Sequence, residues 1–249
     1  VGNNGQMSTI ADEELRRVVV TYYRGVGSTL LKHLRGRRVE GSGRDEAIDG
    51  VEGRHAVRLH IADLEDLDEA VRSGIMSFRL PGLTGAGLVS LRIRPGVGSG
   101  IDTVATAALA LATSMSLDGI AATAMTDGAG GLYLVGFPVG PTQPSATAAR
   151  YAEALAGLAP EIATTDSVDS DGRALVQPLP VAGGRAVPAP YSLVSSAVGL
   201  GVAAPLTMDE VAAATAGMSL EIEPADLLPR LSSYGDLAAA LGEATDPSA

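Results

Sequence analysis

Cysteine and tryptophan are absent from this 249-residue chain, phenylalanine occurs twice, and Lys32 is its one lysine. Without cysteine there can be no disulfide, no thiolate metal site and no cysteine nucleophile, which fits a cytoplasmic protein. No apolar run is long enough to cross a membrane, and no basic-then-apolar segment opens the chain, so neither a membrane nor a secretory role is indicated. Aromatic residues make up 3% of the chain and leave few platforms on which bases could stack. Positive charge is scarce as well: 18 basic residues face 29 acidic ones, a net charge of −11. Ten of the basic residues lie within positions 1–58, against eight acids there, so the remainder is strongly acidic. A body of that charge repels a phosphate backbone, and DNA binding is expected to be weak or absent. Its one candidate footprint is the cluster Arg35, Arg37 and Arg38.

What is present is a 46% hydrophobic chain whose periodicity switches repeatedly between helix and strand. Leu15, Val18, Val19, Tyr22 and Val26 recur at spacings of three and four, predicting a helix over 12–34. Strands are predicted over 55–61, 74–80, 88–94, 120–126, 132–137, 162–165, 173–179 and 187–194. Further helices are expected over 63–73, capped by Asp63, and over 101–117, 145–158, 207–216, 224–231 and 235–242. Residues 40–53 and 127–131 read as Gly-rich connections. Interleaving of this kind, without an internal repeat, indicates an α+β domain with a mixed central sheet and flanking helices. One domain is expected over 11–242, between flexible tails at 1–10 and 243–249.

The unusual element is the strand Leu88-Val89-Ser90-Leu91-Arg92-Ile93-Arg94-Pro95. Its two arginines are two positions apart and therefore share one side of the strand, about 6.6 Å from each other along the backbone. Four further segments carry a family resemblance. They are residues 14–26 with the Tyr22-Tyr23 pair, Leu31-Lys32-His33-Leu34-Arg35-Gly36-Arg37-Arg38-Val39, Val187-Pro188-Ala189-Pro190-Tyr191-Ser192-Leu193, and Ala204-Pro205-Leu206-Thr207-Met208-Asp209-Glu210-Val211. In this order and spacing the chain resembles the polymerase domain of bacterial ligase D, in the archaeo-eukaryotic primase superfamily, from about residue 11 to 241. The resemblance implies a primase-like fold, a metal-dependent nucleotidyltransferase ancestry and a link to DNA end joining.

The departures fall where that family keeps its chemistry. Arg92 and Arg94 stand at its two metal-binding aspartates and Gln177 at its third carboxylate. Arg79 stands near its active-site histidine. The phosphate-cradling Lys-Thr-Ser-Gly-Gly-x-Gly-x-His motif corresponds to residues 125–133, where Asp127, Gly128 and Tyr133 occupy key positions without the Lys, Ser or His. Val194 replaces the arginine that closes the Tyr-Ser-Leu-Arg segment. Two-metal phosphoryl transfer needs carboxylates to hold cations about 3.5–4 Å apart, and arginine repels them. No catalytic residue, metal or cofactor is therefore expected. The chain reads as an inactive homologue serving as a scaffold or accessory protein, a role that leaves room for a protein partner of unknown identity.

The alternatives follow from the same residues. Arg79, Arg92 and Arg94 could form a phosphate or nucleotide pocket, since guanidinium suits bidentate phosphate contacts. Pairing with acids is preferred, because Asp127 would oppose an anion, and Asp127 is expected to pair with Arg92 or Arg94. An active nucleotidyltransferase would need other ligands, such as Asp102, Asp118 or Asp127, but Asp102 and Asp118 lie at opposite ends of one predicted helix. The Gly128-Ala129-Gly130-Gly131 run reads as a tight turn between strands. His33, His55 and His60 suggest neither a zinc site nor a triad, Ser192 has no nucleophile context, and residues 63–69 read as a solvated acidic helix face.

Overall fold

The computed structural model describes residues 3–43, 56–81, 87–138, 143–179, 186–196 and 199–243. Helix α1 (Asn3–Leu34) begins nine residues before the predicted start, so part of the expected N-terminal tail continues the helix. Strand β1 (Val39–Ser42), β2 (Val57–Leu59), helix α2 (Leu64–Arg72) and β3 (Ser77–Leu80) follow. Asp63 caps α2 as expected, its carboxylate accepting from the Glu65 and Asp66 amides. Then come β4 (Val89–Pro95), α3 (Ile101–Leu117), β5 (Ala121–Thr126), β6 (Leu132–Phe137), α4 (Pro144–Leu158), β7 (Ala163–Thr164) and β8 (Ala174–Pro178). The remaining elements are β9 (Val187–Pro188), β10 (Leu193–Ser196), β11 (Gly199–Val202), β12 (Pro205–Leu206), α5 (Met208–Ala214), α6 (Leu227–Tyr234) and α7 (Ala239–Glu243). His55 and residues 244–249 of the expected C-terminal tail lie outside the described residues.

The strands form a six-stranded sheet in the order β12-β5-β6-β4-β8-β7, a four-stranded sheet β2-β1-β3-β9, and the β10-β11 pair. Every pairing with a described register is antiparallel except β7 with β8. Strand alternation sends the large sheet's side chains into two separate cores. Val89, Leu91 and Ile93 of β4, with Leu132 and Leu134 of β6, pack against Val104, Ala108 and Leu111 of α3 and Ala148 and Tyr151 of α4. The alanines of α3 bring that helix close to the sheet. Met125, Tyr133 and Val135 point to the opposite face and join Tyr22, Tyr23, Val26 and Leu30 of α1 and Phe78 of β3. Arg92 and Arg94 alternate with the first set and so belong to this second face.

The strand predicted over 187–194 is broken. β9 ends at Pro188 and β10 starts at Leu193, with Tyr191 between them in the left-handed region at φ 68°. Pro188 and Pro190 have no N–H for a ladder, so a continuous strand cannot form there. Hydrogen bonds hold the turn from three sides. Tyr22 Oη donates to the Tyr191 carbonyl at 2.8 Å, the Tyr191 amide donates to Ala203 at 2.8 Å, and Tyr191 Oη donates to Asp236 Oδ1 at 2.8 Å. His33, fully buried on α1, places Nε2 3.1 Å from Asp236 Oδ2. Next to it, the Phe78 amide donates to Ser192 Oγ at 2.8 Å, and the Leu193 amide donates to Tyr23 Oη at 3.0 Å. Three of the four segments that carry the resemblance thus meet in one buried polar network.

The fourth segment is a capping box. Thr207 and Glu210 bond reciprocally at the start of α5, and Arg230 of α6 pairs with Glu210 while donating to the Pro205 carbonyl at 2.9 Å. Burial pushes both the Glu210 and Asp236 carboxyls up. For Glu210 this is outweighed by hydrogen bonds from Arg230 and Thr207, and for Asp236 by those from His33 and Tyr191, so both end below their ordinary values. Their contribution to stability is present above the unfolded carboxylate range, about pH 4, and is lost as pH falls through the lower folded values. Melting temperature is expected to fall on acidification through that window, and Asp236→Asn to flatten the fall. An unchanged acid slope in thermal melts of Asp236→Asn would show that the contact carries no such linkage.

Candidate functional site

β4 is a central strand, flanked by β6 and β8, and its register fixes what lies beside the two arginines. Arg92 is opposite Tyr133 on β6 and Gln177 on β8, and Arg94 is opposite Leu175. Arg92 Nη2 donates to Asp127 Oδ2 at 3.1 Å, and its guanidinium carbon lies 5.5 Å from the centre of the Tyr133 ring. Arg94 Nη2 donates to Gln177 Oε1 at 3.0 Å. The Asp127 side chain is 1% exposed and that of Arg92 18%, so the pair is a largely dehydrated one at the base of the face.

Asp127 owes its position to the β5–β6 turn. Its Oδ1 accepts from the Ala129 amide at 2.9 Å and the Gly131 amide at 2.8 Å, while its own amide donates to the Gly131 carbonyl at 2.9 Å. The carboxylate therefore closes the turn with one oxygen and holds Arg92 with the other. Gly128 and Gly130 occupy the left-handed region at φ 74° and 78°. Above the turn, Val194 packs on Gly128 so closely that a Cβ there would lie 2.0 Å from Val194 Cγ2.

These residues do not fit the divalent metals that the resemblance implies. Such ions are held by oxygen ligands, chiefly carboxylates, but this face presents two guanidinium groups, a neutral amide and one carboxylate already engaged by three donors. Among the described residues no three His, Asp or Glu side chains come together as a metal site. Asp102 lies in the first turn of the 17-residue α3 and Asp118 caps its C-terminus, roughly 24 Å apart at 1.5 Å per residue. Asp118 accepts from Tyr151 Oη at 2.6 Å; burial first, then this carboxylate, pushes the phenol up to about 12.

The other sequence-selected residues are dispersed. Arg79 is on β3, opposite Glu40 and Pro188, with Nη1 3.4 Å from the Ala186 carbonyl. Arg35 Nε donates to the Ala62 carbonyl at 2.9 Å and Arg37 Nη2 donates to the Leu241 and Gly242 carbonyls; Arg35 and Arg38 are exposed and Arg37 is half-buried. His60 is exposed. Sequence reasoning missed Asp236, which lies 203 positions from its partner His33 and has no local pattern to mark it.

The model of the LigD primase-polymerase domain matches residues 49–238. Among solved structures, the polymerase domain from Mycobacterium tuberculosis ligase D in complex with DNA superimposes with a TM-score of 0.73 at 19% identity. The match covers 91% of this chain and 92% of that one. No curated protein matches the sequence.

Proposed function

The chain belongs to the LigD primase-polymerase family, and from that premise we propose that it is a member without metal-dependent nucleotidyl transfer, acting as a scaffold or accessory protein. The observation that carries this reading is the Arg92–Asp127 pair at 3.1 Å, with Arg94 on Gln177 at 3.0 Å beside it. Acid-to-base change at two metal-ligand positions, with an amide at the third, leaves no set of oxygens to clamp the attacking and leaving groups. Asp127 at the former phosphate-cradling turn also sets a fixed negative charge where a nucleotide would bring its own. A setting in DNA end joining is taken from the family by association. Primer extension on a recessed duplex with nucleoside triphosphates and manganese tests the proposal. The expected result is no product above the protein-free background, and template-directed extension would overturn it.

A further inference from the structure

Helix α6 is tied to the body by contacts of its own. Leu227 is buried, Leu228 packs over Gly25 of α1, and Arg230 holds Glu210 and the Pro205 carbonyl. The chain then turns at Gly235, in the left-handed region at φ 69°, and α7 packs against α1. Between residues 235 and 242 the buried side chains are Ala238 and Leu241. Polar anchors supply much of the rest. Asp236 accepts from Tyr191 Oη at 2.8 Å and from the Ala238 amide at 3.1 Å, and lies 3.1 Å from His33 Nε2. Arg37 Nη2 donates to the Leu241 carbonyl and, at 3.3 Å, to that of Gly242. A helix as short as α7 has little stability of its own, so its order rests on these contacts.

The residue that Asp236 holds is a strained one. Among the described residues Tyr191 is the one non-glycine with a left-handed backbone, which an L-residue keeps only where its surroundings enforce it. Tyr22 bonds its carbonyl, Ala203 its amide and Asp236 its phenol, and Asp236 alone of the three belongs to the C-terminal stretch. Two short routes lead from Tyr191 to the arginine-bearing face. Val194, three residues on, packs on Gly128. Ala203 is followed by Ala204, whose carbonyl accepts from the Thr126 amide at 3.0 Å, directly before Asp127.

We infer that residues 235–243 form a strap, hinged at Gly235, that opens as a unit and, when closed, locks the Tyr191 turn and through it the Gly128 turn that carries Asp127. Few buried side chains place the strap at the low-stability end of the fold. Tyr191 supplies the two states, left-handed with its phenol on Asp236 and relaxed when released. The device operates whether or not the chain transfers nucleotides.

The test is native-state amide exchange with amide NMR shifts, on the whole chain and on its Asp236→Ala and Arg37→Met variants. In the unaltered chain the Leu241 and Gly242 amides are expected to exchange at least tenfold faster than the most protected amides of β4 and β6. Each variant is expected to speed these two amides and that of Tyr191 at least tenfold further. Each is also expected to shift the Gly128 and Gly131 amides while leaving those of α3 in place. Arg37→Met decides the matter if Asp236→Ala does not fold, because Arg37 bonds the strap and not Tyr191. Strap amides that exchange only with global unfolding, strap exchange that Arg37→Met leaves unchanged, or a strap opened by it with Tyr191 and Gly128 unmoved would each overturn the inference.

Discussion

Replacing Asp127 by alanine is expected to destabilise the fold by about 3–5 kcal/mol, the range for removing one member of a buried ion pair. Two losses combine. Arg92, 18% exposed, would keep its charge without the carboxylate 3.1 Å away. The amides of Ala129 and Gly131 would lose the oxygen that closes the turn. Asp127→Asn separates the two effects, because an amide oxygen still serves the turn while the charge is gone, so it should cost less than alanine. Urea unfolding gives both values, and a loss under about 1 kcal/mol for alanine would mean that the pair is solvated and energetically idle.

Gly128→Ala is expected to cost about 2–4 kcal/mol, combining the left-handed backbone penalty of an L-residue with the strain of overpacking. At φ 74° any side chain is disfavoured, and its Cβ would lie 2.0 Å from Val194 Cγ2. Adding Val194→Ala removes the 2.0 Å contact but keeps the Val194 Cβ at 3.0 Å, so it should recover most of the steric share and leave the backbone share. If the double variant were no more stable than Gly128→Ala alone, Val194 would not be what closes the turn. The prediction bears on the site as well, since the same turn holds Asp127 against Arg92.

Much of this was legible in the sequence, for identifiable reasons. Alternation in residues 88–94 placed Arg92 and Arg94 on one side of a strand, and Asp127 was the acid expected to meet one of them, because the resemblance sets it at a phosphate-facing serine beside positions where acids have become arginines. The bounds of α3 and β6 followed from unbroken patterns. The segments that carried the resemblance prove to be those that build the scaffold: Tyr22, Tyr23, His33, Tyr191 and Ser192 bond across the core, and Thr207 and Glu210 cap α5. Such residues answer to packing and hydrogen bonding, which do not require the metal chemistry. What sequence could not supply were long-range pairings. Asp236 meets His33 from the far end of the chain, β11 and β12 are too short and glycine- or proline-marked to carry a period, and Gln177 read only as a lost ligand before its bond to Arg94 was visible.

The face at which the resemblance places metal ions is held here by the protein's own charge pair. A double-mutant cycle on Arg92→Met and Asp127→Asn, measured by equilibrium urea unfolding, tests it most directly. Side chains that interact couple by roughly 0.5–3 kcal/mol, whereas independent sites add within about 0.3–0.5 kcal/mol. A favourable coupling above about 1 kcal/mol, with the double variant more stable than the sum of the single losses implies, is the predicted result. Additive losses would contradict the account and return Arg92 and Asp127 to the status of separate, solvated charges.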